Sequence, residues 1–285
     1  MEGIEILNQI INTLRPLLIN GRINEQNINW LKTFLDKNIP FISSPTKRIR
    51  FDELFRVTIN KNLPNNRNTR INEFKFLKYP PPECINKYGR ANYIGQSILY
   101  ATFDSITVFE EMKPKVGDLI TISKWKLIEK EDLLISPIVN SYSNIDVLYY
   151  NEMKIDIINI YLKKLSQFNS NDAQQIQLLL NFISDCFTRN IDSGFNLDYF
   201  LSAYFANKIL YELDKGNIEA IVYPSVASDL SSLNIAIKPK SFDLKYKIKE
   251  IEECKVISTP KENCSCYSID RTGRTANIEN DIIKW

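Results

Sequence analysis

Residues 89–111, GRANYIGQSILYATFDSITVFEE, compress a turn, a strand and the start of a helix into one run. The turn opens on Gly89-Arg90. Residues 98–102 read as a strand. Asp104-Ser105 has the chemistry of a helix N-cap, and the helix is expected to run to about Lys113, with Pro114 just past its end. The unit carries a cation, an aromatic ring and a carboxylate: Arg90, Tyr100 and Glu111. The rest of the chain is read as organised around it.

Ahead of this unit, residues 1–45 look helical. Ile4, Leu7, Ile11, Leu14 and Leu18 form an apolar stripe at helical spacing, and Pro16 kinks or restarts the helix. A second helix runs to Asp36 from an N-cap at Asn24, burying Ile28, Leu31, Phe34 and Leu35. Pro40 and Ser43-Ser44-Pro45 close the segment, which reads as a helical cap or as a docking surface for a partner. Residues 48–59 end in an alternating strand, with Phe55, Val57 and Ile59 on one face and Arg56 and Thr58 on the other. Residues 60–88, with Pro80-Pro81-Pro82, read as a long loop.

Behind the unit, residues 118–127 alternate as a strand, and Leu133-Leu134-Ile135 continues the apolar trend. Residues 146–214 turn largely helical. Ile155, Ile158, Tyr161, Leu162 and Leu165 make one stripe; Ile176, Leu179, Leu180 and Ile183 make another. A further helix covers 197–213 and stops at Gly216. Residues 218–222 and 234–237 are short strands, and 242–257 is expected as one long amphipathic edge strand. The order of residues 258–285 is left open. Strands and helices mixed in this way predict an α+β fold with a helical N-terminal extension at 1–45, a main domain at 46–257 and a tail at 258–285.

Composition removes several chemistries. The chain of 285 residues has no histidine. Ser-His-Asp triads, Cys-His dyads and HExxH zinc sites are therefore excluded, and acid–base work falls to Glu, Asp, Lys, Tyr or Cys. A net charge of +2 gives no footprint for nucleic acid. The cysteines, Cys84, Cys186, Cys254, Cys264 and Cys266, are odd in number and make no dense framework, so reduced thiols and a cytoplasmic location are expected. No CxxC partner accompanies Cys264-Ser265-Cys266, and no metal site is expected. The N-terminus lacks a basic region before its apolar residues, so no signal peptide is expected. No apolar run approaches the ~20 residues that span a bilayer.

Two blocks together carry a resemblance. One is Gly89-Arg90-Ala91-Asn92, Gly95, Leu99-Tyr100-Ala101, Thr107 and Glu111. The other is Tyr223-Pro224-Ser225-Val226 with Asn234-Ile235-Ala236. The pattern resembles the RES-domain family, with Leu54-Phe55-Arg56-Val57 similar to its opening strand, over roughly residues 46–257. The resemblance implies a split β core like that of ADP-ribosyltransferases, NAD as substrate, and cleavage of the nicotinamide–ribose bond with water or inorganic phosphate as acceptor. It also implies a toxin of a toxin–antitoxin pair. Matched by motif, the catalytic set is Arg90, Tyr100, Glu111 and Ser225. The binding set is Arg56, Arg90, Tyr100, Asn92, Tyr223 and Ser225. The aromatic usual after the family's Gly-Arg is Ala91 here, which loosens one wall of the implied pocket. Glu110 beside Glu111 leaves a one-residue ambiguity, which the Thr107 register resolves toward Glu111.

The residue chemistry agrees with that implication. Nicotinamide is already a cationic leaving group, so no general acid is needed. The ribosyl cation that forms wants a carboxylate, as in glycoside cleavage. An arginine fork grips a pyrophosphate, which suits Arg90 with Arg56 as a second contact, and Tyr100 offers a flat face to the nicotinamide ring. Ser225 hydrogen-bonds the ribose or positions Glu111. Expected partners are NAD, phosphate, an antitoxin or other regulatory protein, and a second copy in a homo-oligomer, with no membrane and no direct nucleic acid. Two rivals stay open: a protein ADP-ribosyltransferase on the same pocket, and a non-catalytic nucleotide-binding regulatory module.

Overall fold

The computed structural model describes residues 2–39, 43–128, 130–138, 152–260 and 266–285, without the side chains of 2 and 152–158. The expectations at Pro40, at Cys264, at 146–151 and for the Ile155 and Ile158 side chains lie outside the described residues. The chain is a mixed α+β protein that divides into two compact units. The first comprises Met1–Ile49, Pro81–Ser97 and Leu133–Val226; the second comprises Arg50–Pro80, Ile98–Asp132 and Ala227–Trp285. The N-terminal helices thus belong to the first unit and the residues beyond 257 to the second.

In the first unit, α1 (Glu2–Leu14) buries Ile11 and Leu14, and Pro16 turns the chain into a 3-10 segment, Arg15–Leu18. Helix α2 (Ile28–Asn38) buries Leu31 and Leu35. It starts one turn later than expected, because the Asn24 side chain accepts from the N–H groups of Gln26 and Asn27 in a local turn instead of capping the helix. Helices α4 (Glu152–Leu165) and α5 (Ser170–Thr188) follow, and α5 packs against α1. The helix expected over 197–213 is present as one continuous helical run that changes type and ends at Glu212 rather than at Gly216. A 3-10 turn, Asn196–Tyr199, leads into α6 (Phe200–Asn207), and a π-helical stretch, Lys208–Glu212, follows. Strands β1 (Lys47–Ile49), β5 (Leu133–Pro137) and β6 (Ala220–Pro224) lie side by side, β1 antiparallel and β6 parallel to β5.

In the second unit, β2 (Glu53–Ile59), β3 (Leu99–Thr102), β4 (Leu119–Leu127), β7 (Leu233–Ile237), β8 (Tyr246–Ser258) and β9 (Ser268–Thr275) form an antiparallel array in the order β7-β3-β2-β4-β8-β9. Helix α3 (Ser105–Met112) covers one face. Its Val108 and Phe109 pack on Val57, Ile59, Ile120, Ile122, Cys254 and Val256. The opposite face is centred on Trp125, whose ring lies 5.6 Å from Phe74 and 4.7 Å from Phe242.

Phe242 does not begin an edge strand. Pro239 fits the first turn of α7 (Pro239–Lys245), where its missing N–H costs nothing. Strand β8 that follows is internal, because β9 from the C-terminal segment pairs with its far side. The expected loop at 60–88 holds short 3-10 turns, among them Phe74–Leu77. The last residues form a small hairpin, β10 (Ile278–Glu279) with β11 (Ile282–Ile283), and the Trp285 indole donates to the Ile71 carbonyl at 2.8 Å. No described helix is long and apolar enough to cross a membrane.

Candidate active site

The site in the second unit starts from the β3–α3 junction. Asp104 is extended, at φ −143° and ψ 161°, and its Oδ1 accepts from the N–H groups of Ile106 (2.9 Å) and Thr107 (2.7 Å). The Thr107 hydroxyl donates to Asp104 Oδ2, and the Thr102 hydroxyl to the Asp104 carbonyl, both at 2.7 Å. Donors orphaned at the start of α3 are thereby satisfied, and the helix direction is fixed relative to β3. At its other end Lys113 adopts the left-handed region, φ 46°.

Burial of Val108 and Phe109 turns Glu111 outward, and the residue is exposed. It is not adrift: Asn234 Nδ2 donates to Glu111 Oε1 at 2.6 Å, a charge-assisted bond. Asn234 is buried and sits on β7 directly opposite Thr102 of β3; two pairs along, Tyr100 faces Ala236. Cross-strand partners share a face, as do residues two apart on a strand. Tyr100, Thr102, Asn234 and Ala236 therefore line one face, and α3 delivers Glu111 to it. The Tyr100 ring is partly buried there.

Arg56 belongs to the neighbouring strand, as expected, but its side chain leaves the other face. Phe55 pairs with Thr102, so Phe55 shares the Tyr100 face and Arg56 does not. Arg56 Nη1 donates to the Tyr100 carbonyl at 2.9 Å, and its Nε is buried without a hydrogen-bond partner. Burial, which disfavours the charged guanidinium, pulls its pKa down to about 10. Arg56 thus grips the backbone of β3 from behind Tyr100.

In the first unit, Gly89 and Asn92 close a tight turn through reciprocal backbone bonds of 3.1 and 3.4 Å, which presents Arg90. Arg90 Nη1 donates to the carbonyls of Phe187 and Arg189 at the end of α5, and its guanidinium lies 5.3 Å from the centre of the Tyr199 ring. A cation is favourable at a helix C-terminus. Ala91 and Asn92 are both buried, and Asn92 Nδ2 donates to the Tyr93 carbonyl at 2.8 Å. Ala91 is thus a core residue. The Tyr223 ring packs on Phe187 at 5.3 Å, so Arg90 and Tyr223 meet the same end of α5. Ser225, just past β6, is fully buried.

Sequence reasoning gave no role to Asn234. Its signal was a lone amide inside the apolar strand LNIAI, but the partner lies 123 positions away. Among the described residues, no group of three or more His, Cys, Asp or Glu side chains is arranged to hold a metal. Cys84 and Cys266 are exposed, while Cys186 and Cys254 are buried. Burial pushes the Cys254 thiol up to about 11 and raises that of Cys186 as well, which disfavours the thiolate at both. Compared with protein-family models, curated proteins and solved structures, the chain matches none.

Proposed function

We propose that this chain is an NAD-consuming enzyme related to the RES-domain family and built on an ADP-ribosyltransferase-like core. It cleaves the nicotinamide–ribose bond with water or phosphate as acceptor. The observation that carries the reading is the Glu111 carboxylate, held by Asn234 on the sheet face that also bears Tyr100. A solvent-facing carboxylate bound by a buried amide is pre-aimed rather than free to rotate, which is what electrostatic stabilisation of a ribosyl cation requires. Glu111 binds the ribose hydroxyls and stabilises the charge that builds at C1′. Tyr100 stacks on nicotinamide.

The family resemblance assigns the pyrophosphate to Arg90. Its Nη1 contacts fix the guanidinium plane, and a guanidinium carries further donors for an anion. Asn92 closes the turn that presents Arg90, and Tyr223 packs on Phe187 at the same end of α5. Ser225, being fully buried, supports the segment after β6 and does not touch substrate. Arg56 acts on Tyr100 through the β3 backbone rather than on a phosphate.

The test is release of free nicotinamide from NAD by the purified chain, with and without phosphate. Wild type should release it and Glu111→Ala should not. Equal release by both, or none by wild type, overturns the reading.

A further inference from the structure

An open cleft of ≈ 910 Å³ in the second unit runs along α3. From the helix, Ile106, Phe109, Glu110 and Lys113 line it. They recur at i, i+3, i+4 and i+7, so they form one stripe of the helix surface. Tyr267 and Ile269 wall the other side, and the Phe109 and Tyr267 rings meet at 5.3 Å. The cleft shares no lining residue with the face that bears Glu111, Asn234 and Tyr100. Small-molecule sites have volumes of roughly 300–1,000 Å³, mainly apolar walls and a few polar groups, and this cleft has that character.

Two observations say what fills it. The first is that its apolar walls are open to water. Ile106 is 71% exposed and Ile269 38%. A single exposed isoleucine is ordinary, but two of them beside a ring pair in one concave wall form a binding surface. The second is that the charge at one end is unmatched. Lys113 is the C-cap of α3, and Lys115 follows Pro114. Among the described residues, neither ammonium group is paired with a carboxylate. Asp118, the next acid along the chain, is already committed: its Oδ1 accepts from Lys61 Nζ, and its Oδ2 from the Lys115 backbone N–H at 2.9 Å. The negative end of the α3 dipole amounts to roughly half a charge, less than the two ammonium groups beside it. Glu110, one turn back, repels an anion from the middle of the cleft. From Ile106 to Lys113 the helix rises about 10 Å.

We propose that this cleft is a binding site for an organic anion. An apolar acyl or aryl body of about 10 Å lies against Ile106, Phe109, Tyr267 and Ile269, with a single anionic head at Lys113 and Lys115. The site is independent of the NAD-cleaving reading.

The test uses two dyes that brighten in apolar surroundings: 1-anilinonaphthalene-8-sulfonate, an aryl anion, and N-phenyl-1-naphthylamine, its uncharged counterpart. The sulfonate should bind the purified chain saturably. Lys113→Gly combined with Lys115→Gln should weaken it by about 5-fold, the scale of two exposed ion pairs, and leave the amine unchanged. Glycine accepts the left-handed backbone at position 113, φ 46°. Ile106→Glu should weaken both dyes, and the exposure of that side chain keeps the change out of the core. Thermal melts matching wild type show that the variants fold. Displacement of the sulfonate by dodecanoate or by 1-naphthoate supports the proposal, and the tighter competitor says whether the body is acyl or aryl. No saturable binding, equal loss of both dyes when the lysines are removed, or affinities unmoved by the substitutions overturns it. Nicotinamide release plays no part in these readouts, so failure here leaves the NAD-cleaving reading as it stands.

Discussion

At the scale of the residue, the decisive contact is Asn234 Nδ2 to Glu111 Oε1. A hydrogen bond to a charged group is worth about 1.5–3 kcal/mol, which is about 10-fold to 100-fold in rate if it is needed at the transition state. Asn234→Ala should therefore cut nicotinamide release by about that factor, measured as kcat. Asn234→Asp is the sharper variant. It is nearly isosteric but replaces the donor with a second carboxylate, so the bond to Glu111 is lost and a like charge stands in its place. Its kcat should therefore fall further than that of Asn234→Ala. A kcat equal to wild type in both variants would show that Asn234 holds structure only. Both residues stand in the blocks that carry the family resemblance, but their contact was not legible. Glu111 could be picked by its register behind Thr107, whereas a pairing across 123 positions leaves no local trace.

At the scale of the element, the β3–α3 junction was readable because its forces are local. Asp104 is followed within three residues by the N–H groups it satisfies, so the cap is written in the sequence. Asp104→Ala should lower unfolding stability by about 1 kcal/mol, seen in a denaturant midpoint, and should loosen Glu111 because α3 loses its anchor to β3. An unchanged midpoint would mean that the Val108 and Phe109 packing alone sets the helix. The stretch 242–257 was misread for the complementary reason. Its alternation of apolar and charged residues is real, but its first residues belong to a helix begun by Pro239, and the partner that makes β8 internal is supplied by 268–275. Edge or interior is a property of what pairs, and no window of β8 contains that. The change of helix type within 197–213 was hidden too: a π-helical stretch differs from an α-helix by one residue of register, which apolar periodicity over a single turn does not resolve.

At the scale of the whole molecule, the chemistry argued above has one consequence outside the test tube. An enzyme that spends NAD without restraint drains a cell of its hydride carrier, so expression of the chain should arrest growth. The arrest should depend on the same carboxylate as nicotinamide release: wild type should stop a culture and lower its NAD pool, while Glu111→Gln should do neither. Both readouts are needed because they separate two claims. Growth arrest by Glu111→Gln equal to wild type would assign the toxicity to something other than catalysis. Nicotinamide release in vitro with no arrest would keep the enzyme and remove the toxin, meaning that activity in the cell is held down by acceptor supply or by a bound partner.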